Sequence, residues 1–297
     1  MTDRLRPNRA RGLLLMVAAG LCWSTGGILV RNVSVTNGWE IVFWRSLFMV
    51  LSLTAILFVW HGRRTFAKFA AVGRWGIVTG FFLSLTFFFF ILSVTRTTVA
   101  NTLVIMSLSP FVAALFGWLL LREPVPARTW MTMAVGIAGM VLMFADSLEH
   151  GGLLGNLLAL GVPLAFTANL VALRRHAADI DMVPTVVIAG IISLPLALPF
   201  APPFTATVQD IAVLALMGTV QLGLGCMLMT LATRHLSAAE IGLLALLETT
   251  LGPIWVWLGI GERPTDLALM GGLIVIGSLA INALLGLAQE KRRAPAE

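Results

Sequence analysis

Residues 12–31 read GLLLMVAAGLCWSTGGILVR, a stretch with no charged residue before its final arginine. About 20 such residues form a helix long enough to cross the hydrocarbon core of a bilayer. Residues 155–174 read GNLLALGVPLAFTANLVALR and align with the first stretch, so that Trp23 pairs with Phe166. The two stretches predict a membrane-spanning chain whose second half repeats its first.

The composition of the whole chain supports this prediction. Of its 297 residues, 58% are hydrophobic and 11% are charged, whereas a soluble domain has about 45–50% apolar and about 25% charged residues. Ten spans and their short loops use the whole length, which leaves no soluble enzymatic or nucleotide-binding domain. The apolar runs predict helices at 12–31, 38–60, 73–95, 98–121, 126–146, 152–174, 182–200, 208–231, 238–261 and 265–287.

The basic residues of the predicted loops are distributed unevenly between the two sides of the membrane. Arg31, Arg96 and Arg263 lie on one side, Arg45 lies within a helix, and the other sixteen lie on the opposite side. Basic residues near span ends are kept in the cytoplasm. We therefore expect a multi-pass protein of the bacterial inner (cytoplasmic) membrane, with both termini cytoplasmic. The lipid bilayer is an expected partner of the chain. Because the net charge of +6 is scattered over the loops, no nucleic-acid partner is expected.

A second pair of stretches extends the internal repeat. Residues 97–124 read TTVANTLVIMSLSPFVAALFGWLLLREP, and residues 236–264 read LSAAEIGLLALLETTLGPIWVWLGIGERP. Their alignment pairs Ser109 with Glu248. The repeat therefore includes the fourth helix of each half.

The repeat predicts two domains of five helices each, at residues 1–149 and 150–297. Because five is an odd number, the second domain lies in the membrane upside down relative to the first. Inverted repeats with a site at the membrane midplane are typical of secondary transporters. The expected fold is an all-α polytopic membrane protein, with ten transmembrane helices arranged as two inverted five-helix repeats around a central cavity.

Two charged residues fall inside predicted helices. Glu248 lies at a depth of roughly 15 Å on an ideal helix, where a carboxylate marks a substrate or proton pathway. The alternative is a structural acid capped by Thr249, by Thr250 or by a backbone break near Gly252-Pro253. Arg45 either extends its side chain to the outer headgroups or binds a substrate carboxylate. A depth difference of roughly 10 Å argues against a direct pair between Arg45 and Glu248.

Polar, small and aromatic side chains at mid-depth form the candidate binding site. Such residues either pack helices together or line a pocket suited to a zwitterion with an apolar side chain. In the phenylalanine run 87–90, only Phe89 or Phe90 can share the inward face. The predicted cavity residues are Trp23, Ser24, Phe82, Thr86, Phe89, Asn101, Ser109, Phe166, Asn169, Gln221 and Glu248, with Arg45 as a charge partner.

Several motifs are absent from the sequence. It contains no G-x-x-x-x-G-K-[ST] phosphate loop, which argues against ATP-driven pumping. It also contains no H-E-x-x-H and no G-x-S-x-G, so a metal or serine-nucleophile enzyme lacks its parts. We expect neither a cofactor nor a metal site.

Each repeat closes its fourth helix with a glutamate, Glu123 before Pro and Glu262 before Arg-Pro. With this feature, RNVSVTNGWEIVFWRSLF (31–48) and the stretches 103–124 and 248–264, the chain resembles the EamA group of the drug/metabolite transporter superfamily, and within it the YddG-type bacterial aromatic amino acid exporters. The resemblance implies ten helices in an inverted-repeat basket and export of small metabolites without ATP. With the residue periodicity, it places helices one, three, four, six, eight and nine around the cavity.

We therefore expect a carrier, not an enzyme, that exports amino acids by alternating access. The expected substrates are aromatic or hydrophobic amino acids, Met and Thr included. The sequence leaves two alternatives open. One is efflux of amphiphilic drugs or other small metabolites, with Glu248 as the counter-charge of a cation. The other is a membrane enzyme or lipid-handling scaffold, which would act in detergent without a gradient. Monomeric and oligomeric states both remain open.

Overall fold

A computed structural model describes residues 8–97, 99–143, 145, 152–176, 181–261 and 265–293. Within these ranges the regular secondary structure is helical. A π-helix over Met217–Leu224 joins α10 to α11. The α-helices are α1 (Arg9–Ser24), α2 (Gly26–Arg31), α3 (Gly38–His61), α4 (Arg64–Val94), α5 (Val99–Met106), α6 (Ser109–Leu121), α7 (Ala127–Met143), α8 (Leu153–His176), α9 (Pro184–Ala197), α10 (Val208–Leu216), α11 (Gly225–Ala232), α12 (Ala238–Leu244), α13 (Leu246–Ile260) and α14 (Asp266–Arg293).

The helices form ten spans, which confirms the predicted number. Spans one, four and nine each consist of two helices, α1 with α2, α5 with α6, and α12 with α13. Span eight consists of α10, the π-helix and α11, and the other spans are single helices. Within the described residues, eight spans are long and apolar enough to cross a membrane, and spans five and seven are shorter apolar helices.

Helix α4 begins nine residues before the predicted third helix. Gly73 divides it at a kink with φ 50° and ψ −145°, a conformation that glycine adopts without a steric cost. The part before the kink contains Arg64 and Lys68, so it is too polar for the apolar-run criterion that predicted the spans. It leads into span three from the side on which most basic residues lie.

The two halves interlock, and their contacts have two-fold symmetry. Span three packs against span six, and the equivalent contact in the other half is that of span eight with span one. Likewise, span two packs against eight as seven against three, and span four packs against six as nine against one. Spans two and seven, four and nine, and five and ten pair across the symmetry axis. Each of these contacts thus recurs when every span is replaced by the one five places away, as in an inverted repeat.

Two sequence-based assignments fall outside the described residues. The predicted domain division, between residues 149 and 150, lies in the segment 146–151. It stays a prediction. Glu262, which the sequence alignment matches to Glu123, also lies outside the described residues.

Spans five and ten approach each other most closely at two glycines. A Cβ atom on Gly139 would lie 3.0 Å from the carbonyl oxygen of Gly271, and one on Gly271 would lie 2.5 Å from that of Gly139. Small residues permit such backbone contact between membrane helices, where van der Waals packing drives association. The glycine pair therefore fixes the separation of the two spans.

We expect Gly271→Ala to lower the free energy of unfolding by about 1–3 kcal/mol, because the added methyl group forces the two backbones apart. The melting temperature of the purified protein in detergent measures this effect. Gly277→Ala on the same helix is the matched control, since a Cβ there would meet no atom within 4 Å. Equal melting temperatures for the two variants would contradict a tight contact at Gly271.

Candidate functional site

A central cavity of about 90 Å³ lies between spans one, two, three, four, six, eight and nine. Six of these spans are the predicted ones, and span two is added through Arg45. Most of the wall is apolar or aromatic. The lining residues are Trp23, Arg45, Leu83, Thr86, Phe87, Phe90, Met106, Ser109, Val162, Phe166, Gln221, Leu222, Cys226, Met229, Gly242, Ala245, Leu246, Glu248 and Thr249.

The regular helices are interrupted beside this cavity. Span one breaks at Thr25, span four at Ser107 and Leu108, and span nine at Ala245. Span eight changes to a π-helix, a feature often found at functional sites, and Gln221 lies within it. Irregular backbone at membrane depth is stable only where protein or a water-filled cavity satisfies its polar groups. The breaks therefore mark the cavity as a polar site within the membrane.

Arg45 turns inward from span two and is 3% exposed. Its Nη2 donates a hydrogen bond to Oε1 of Gln221 at 3.2 Å. Its Nε is buried, with no hydrogen-bond partner among the residues that the structure describes. The alternative that Arg45 extends to the outer headgroups is therefore wrong, because the guanidinium faces the central cavity.

Glu248 lies in the first turn of α13, directly after the break at Ala245. A helix N-terminus favours a carboxylate electrostatically. Thr249 and Thr250 do not bind the Glu248 carboxylate. Their hydroxyls donate instead to the carbonyl oxygen of Leu246, at 3.0 Å and 2.8 Å. Glu248 therefore faces the cavity with an unpaired carboxylate, as far as the described part of the chain shows.

Arg45 and Glu248 share one cavity but form no direct ion pair. Each contributes to the cavity wall. Among the described residues, the ion pairs of the chain do not include this combination. The sequence argument against a direct pair thus agrees with the structure, although both side chains point to the same space.

Seven of the sequence-predicted residues meet at the cavity. Trp23 and Phe166, paired by the internal repeat, both contribute to its wall, and so do Ser109 and Glu248. The alignment therefore paired residues that line one space. The other three are Thr86, Gln221 and Arg45.

Five predicted residues lie outside the cavity wall. Ser24 accepts a hydrogen bond from Nε1 of Trp255 at 2.7 Å, between spans one and nine. Asn101 donates to Oγ1 of Thr97 at 3.4 Å. Asn169 is fully buried, and neither its Nδ2 nor its Oδ1 has a partner among the described residues.

The two predicted phenylalanines of span three also point elsewhere. Phe89 packs on span six, where its ring would lie 2.7 Å from a Cβ atom on Gly161. Phe82 contacts Phe81, with ring centroids 5.9 Å apart. The cavity receives Leu83, Phe87 and Phe90 instead. That spacing of four and three residues is the signal of one helix face, and it could have identified them.

On span eight the same rule would have identified three residues that the sequence prediction missed. Leu222, Cys226 and Met229 follow one another at intervals of four and three residues, and all line the cavity. On spans four and nine, Met106, Gly242, Ala245 and Leu246 were missed because they lie beside helix breaks. A period of 3.6 residues does not continue through a break.

An ion pair lies beyond one end of the cavity, on the side of the loops with most basic residues. Nε of Arg174, at the end of span six, donates to Oε1 of Glu123 at 2.6 Å. Oε2 of Glu123 accepts from the backbone nitrogen of Ala238 at 3.0 Å. At the cavity wall, a Cβ on Gly242 would lie 3.1 Å from Cα of Pro110, so spans four and nine are in close contact there.

Two further ion pairs join the halves at the same end. Arg9 binds Glu240, with Nη2 and Oε1 2.7 Å apart. Lys68 binds Asp181, with Nζ and Oδ2 2.6 Å apart, and Arg234 lies 3.9 Å from the other oxygen of Asp181. In all three pairs one partner belongs to spans one to four and the other to the second half. Ion pairs between charged side chains therefore hold the two halves together at this end.

The opposite end is held by hydrogen bonds from uncharged donors. Glu40 accepts from the backbone nitrogens of Thr205 and Ala206, each at 2.9 Å. Asp210 accepts from the backbone nitrogen of Ser34 at 2.8 Å and from its hydroxyl at 2.7 Å. These bonds also join the first half to the second. The two ends of the cavity therefore differ in the kind of contact that closes them.

The chain is similar to known membrane transporters over nearly its whole length. The profile of the EamA-like transporter family matches residues 10–145 and 153–284. Two relatives named pseudopaline exporter CntI, from two strains of Pseudomonas aeruginosa, are 28% identical over 286 residues, or 91% of this chain and 95% of theirs. A solved crystal structure has the same fold, with a TM-score of 0.79 and 16% identity over 94% of this chain and 99% of that one.

The Lys68–Asp181 pair makes the stability of the ion-paired end depend on pH. Burial raises the pKa of Asp181, but the hydrogen bonds from Lys68 and the backbone of Val183, with the charges of Lys68 and Arg234, hold it below its ordinary value. A lowered pKa in the folded state contributes stability above the unfolded pKa, and this contribution is lost as the pH falls through the folded pKa.

We expect Asp181→Asn to lower the free energy of unfolding at pH 7 by a few tenths to about 1 kcal/mol. The difference from the parent protein should shrink as the pH falls below about 4. Melting temperatures across this pH range measure both effects. Lys68→Gln is the matched control, and the double variant should lose no more than either single one. Fully additive losses would show that the two side chains do not act as a pair.

Proposed function

The chain belongs to the EamA-like transporter family, and from this premise we propose that it exports amino acids with apolar side chains by alternating access. As a member of this family it is a multi-pass membrane transporter and not an enzyme. The proposed substrates are aromatic and hydrophobic amino acids, with Met and Thr as further candidates. This substrate class matches the resemblance to the YddG-type exporters.

One observation carries the choice of substrate class. The cavity wall is apolar and aromatic except for a few hydroxyl and amide groups and two opposite charges, Arg45 and Glu248. An apolar pocket with a few placed polar groups suits a small ligand whose polar part has to be oriented. Amino acids combine a carboxylate, an ammonium group and an apolar side chain, which are the three features that this wall can match.

Efflux of amphiphilic cations is the second candidate. The unpaired carboxylate of Glu248 favours it, because an acid inside a membrane protein commonly faces the substrate path. Arg45 disfavours it, because a guanidinium in the same cavity repels a cation. A zwitterion satisfies both charges and is therefore the better match.

The proposal includes a direction and an orientation. The two relatives carry the name of an exporter, which supports export for this chain as well. The uneven distribution of Lys and Arg over the loops supports a location in the bacterial inner membrane with both termini cytoplasmic. The ion-paired end of the cavity is then the cytoplasmic end.

Alternating access requires that the cytoplasmic end open. The ion pairs of Glu123, Glu240 and Asp181 close it in this structure and join the two halves. We propose that these pairs separate when the cavity receives substrate from the cytoplasm. The hydrogen bonds of Glu40 and Asp210, which are formed in this structure, keep the outer end closed while the cytoplasmic end is open.

A thiol in the cavity wall provides a test of this gate. Cys226 lines the cavity and is 2% exposed. In a Cys22→Ser background, a membrane-impermeant maleimide applied to inside-out vesicles should label Cys226 slowly. Adding Glu123→Gln, which removes the ion pair with Arg174, should speed labelling roughly fivefold, the population shift that about 1 kcal/mol produces.

Glu40→Gln is the matched control for this experiment, because it weakens the contacts at the opposite end. It should not raise labelling of Cys226 from the cytoplasmic side. If Glu123→Gln left the labelling rate unchanged, or if Glu40→Gln raised it equally, the ion pair would not be a cytoplasmic gate.

Counterflow in proteoliposomes tests the proposed substrate. Vesicles preloaded with unlabelled Phe, Trp, Met or Thr should accumulate the corresponding labelled amino acid, and the exchange should saturate. Vesicles made without the protein are the control. Accumulation of amphiphilic cations without exchange of any amino acid would transfer the function to drug efflux. Flux that does not saturate would indicate a channel, and activity in detergent without flux would indicate an enzyme or a scaffold.

A further inference from the structure

Two charged groups in the cavity have unused hydrogen-bonding capacity. Nε of Arg45 is buried without a partner, and the carboxylate of Glu248 accepts no hydrogen bond from the residues that the structure describes. An unpaired charge in a low-dielectric interior is costly, and such groups are normally paired or bound to a ligand. Both groups therefore have the properties of half-sites that a ligand completes.

The two charges do not neutralise each other directly. Both line the same cavity, but no ion pair joins them among the described residues. They enter the cavity from different spans, Arg45 from span two and Glu248 from span nine. A ligand between them with a negative and a positive group would pair both charges at once.

Gln221 positions the guanidinium of Arg45. Its Oε1 accepts from Nη2 of Arg45 at 3.2 Å, and its Nε2 donates to the carbonyl oxygen of Trp23 at 3.5 Å, beside the break in span one. Gly26 leaves room for this side chain, since a Cβ there would lie 3.0 Å from Nε2 of Gln221. One amide thus connects Arg45, the π-helix of span eight and the broken part of span one.

We infer that Arg45 binds the carboxylate and Glu248 binds the ammonium group of a zwitterionic substrate, with Gln221 as a positioning residue for Arg45. The inference rests on the proposed function, and it adds the residues that recognise each end of the amino acid. A guanidinium suits a carboxylate because its planar fork can donate two parallel hydrogen bonds. The aromatic wall near Trp23 and Phe166 receives the side chain.

Substrate analogues test the inference on the unaltered protein. Phenylalanine should compete for counterflow of labelled phenylalanine. Phenylalaninamide, which lacks the carboxylate, and N-acetylphenylalanine, which lacks the ammonium group, should each compete about tenfold or more weakly. A site built to bind a polar group rejects analogues that lack it. Equal competition by all three compounds would overturn the inference.

Two variants assign the ends of the substrate. Glu248→Gln should abolish the discrimination against N-acetylphenylalanine and retain that against phenylalaninamide. Gln221→Glu should weaken phenylalanine and favour phenylalaninamide, because the new carboxylate occupies Arg45. A purely structural role for Gln221 would not reverse this preference. Thr250→Val is the control on span nine, because Thr250 lies outside the cavity wall and binds its own helix.

The outcomes separate the inference from the proposed function. If phenylalanine, tryptophan, methionine and threonine all fail to exchange, the proposed function is wrong and the inference fails with it. If they exchange but the variants keep the original selectivity, only the inference is wrong. Should phenylalanine alone fail, methionine, methioninamide and N-acetylmethionine replace the phenylalanine series. Melting temperatures of the variants exclude misfolding, and the analogue experiment needs no variant.

Discussion

The hydrocarbon of a bilayer offers no hydrogen bonds to a protein backbone, and this constraint determines where the chain can depart from a regular helix. The breaks at Thr25, Ser107 and Ala245 and the π-helix over Met217–Leu224 all lie beside one cavity. At these breaks the chain brings Gln221 and Glu248 into the cavity. We propose that the spans also bend at these interruptions during transport, so that binding and motion depend on one feature of the fold.

The inverted repeat explains both the symmetry of the cavity and its charge. Trp23 and Phe166 are equivalent positions, and so are Ser109 and Glu248. The aromatic pair keeps its character in both halves, whereas the second pair has a hydroxyl in one half and a carboxylate in the other. Ion pairs join the halves at one end, and hydrogen bonds from uncharged donors to Glu40 and Asp210 join them at the other, so the two ends differ in the kind of contact.

The ten spans could be predicted because length and hydropathy alone determine them. The cavity residues were harder to predict, because a helix that is apolar on all sides gives no strong signal for its inward face. Phe89 was therefore chosen for a position that Phe87 and Phe90 occupy. Asn101 and Asn169 were predicted as cavity residues because they are polar side chains at mid-depth, but they lie outside the cavity wall. Arg45 could not be oriented from sequence, because its direction depends on Gln221, which is distant in the chain.

We propose that one cavity between the inverted halves binds an amino acid through the opposite charges of Arg45 and Glu248. A structure of the protein determined with bound phenylalanine would show where the ligand lies and which residue binds each of its charged groups. We expect ligand density in the central cavity. The carboxylate of phenylalanine should lie within hydrogen-bonding distance of Arg45, and its ammonium group should lie within hydrogen-bonding distance of Glu248. Density at another site, or the reverse orientation of the ligand in the cavity, would contradict this proposal.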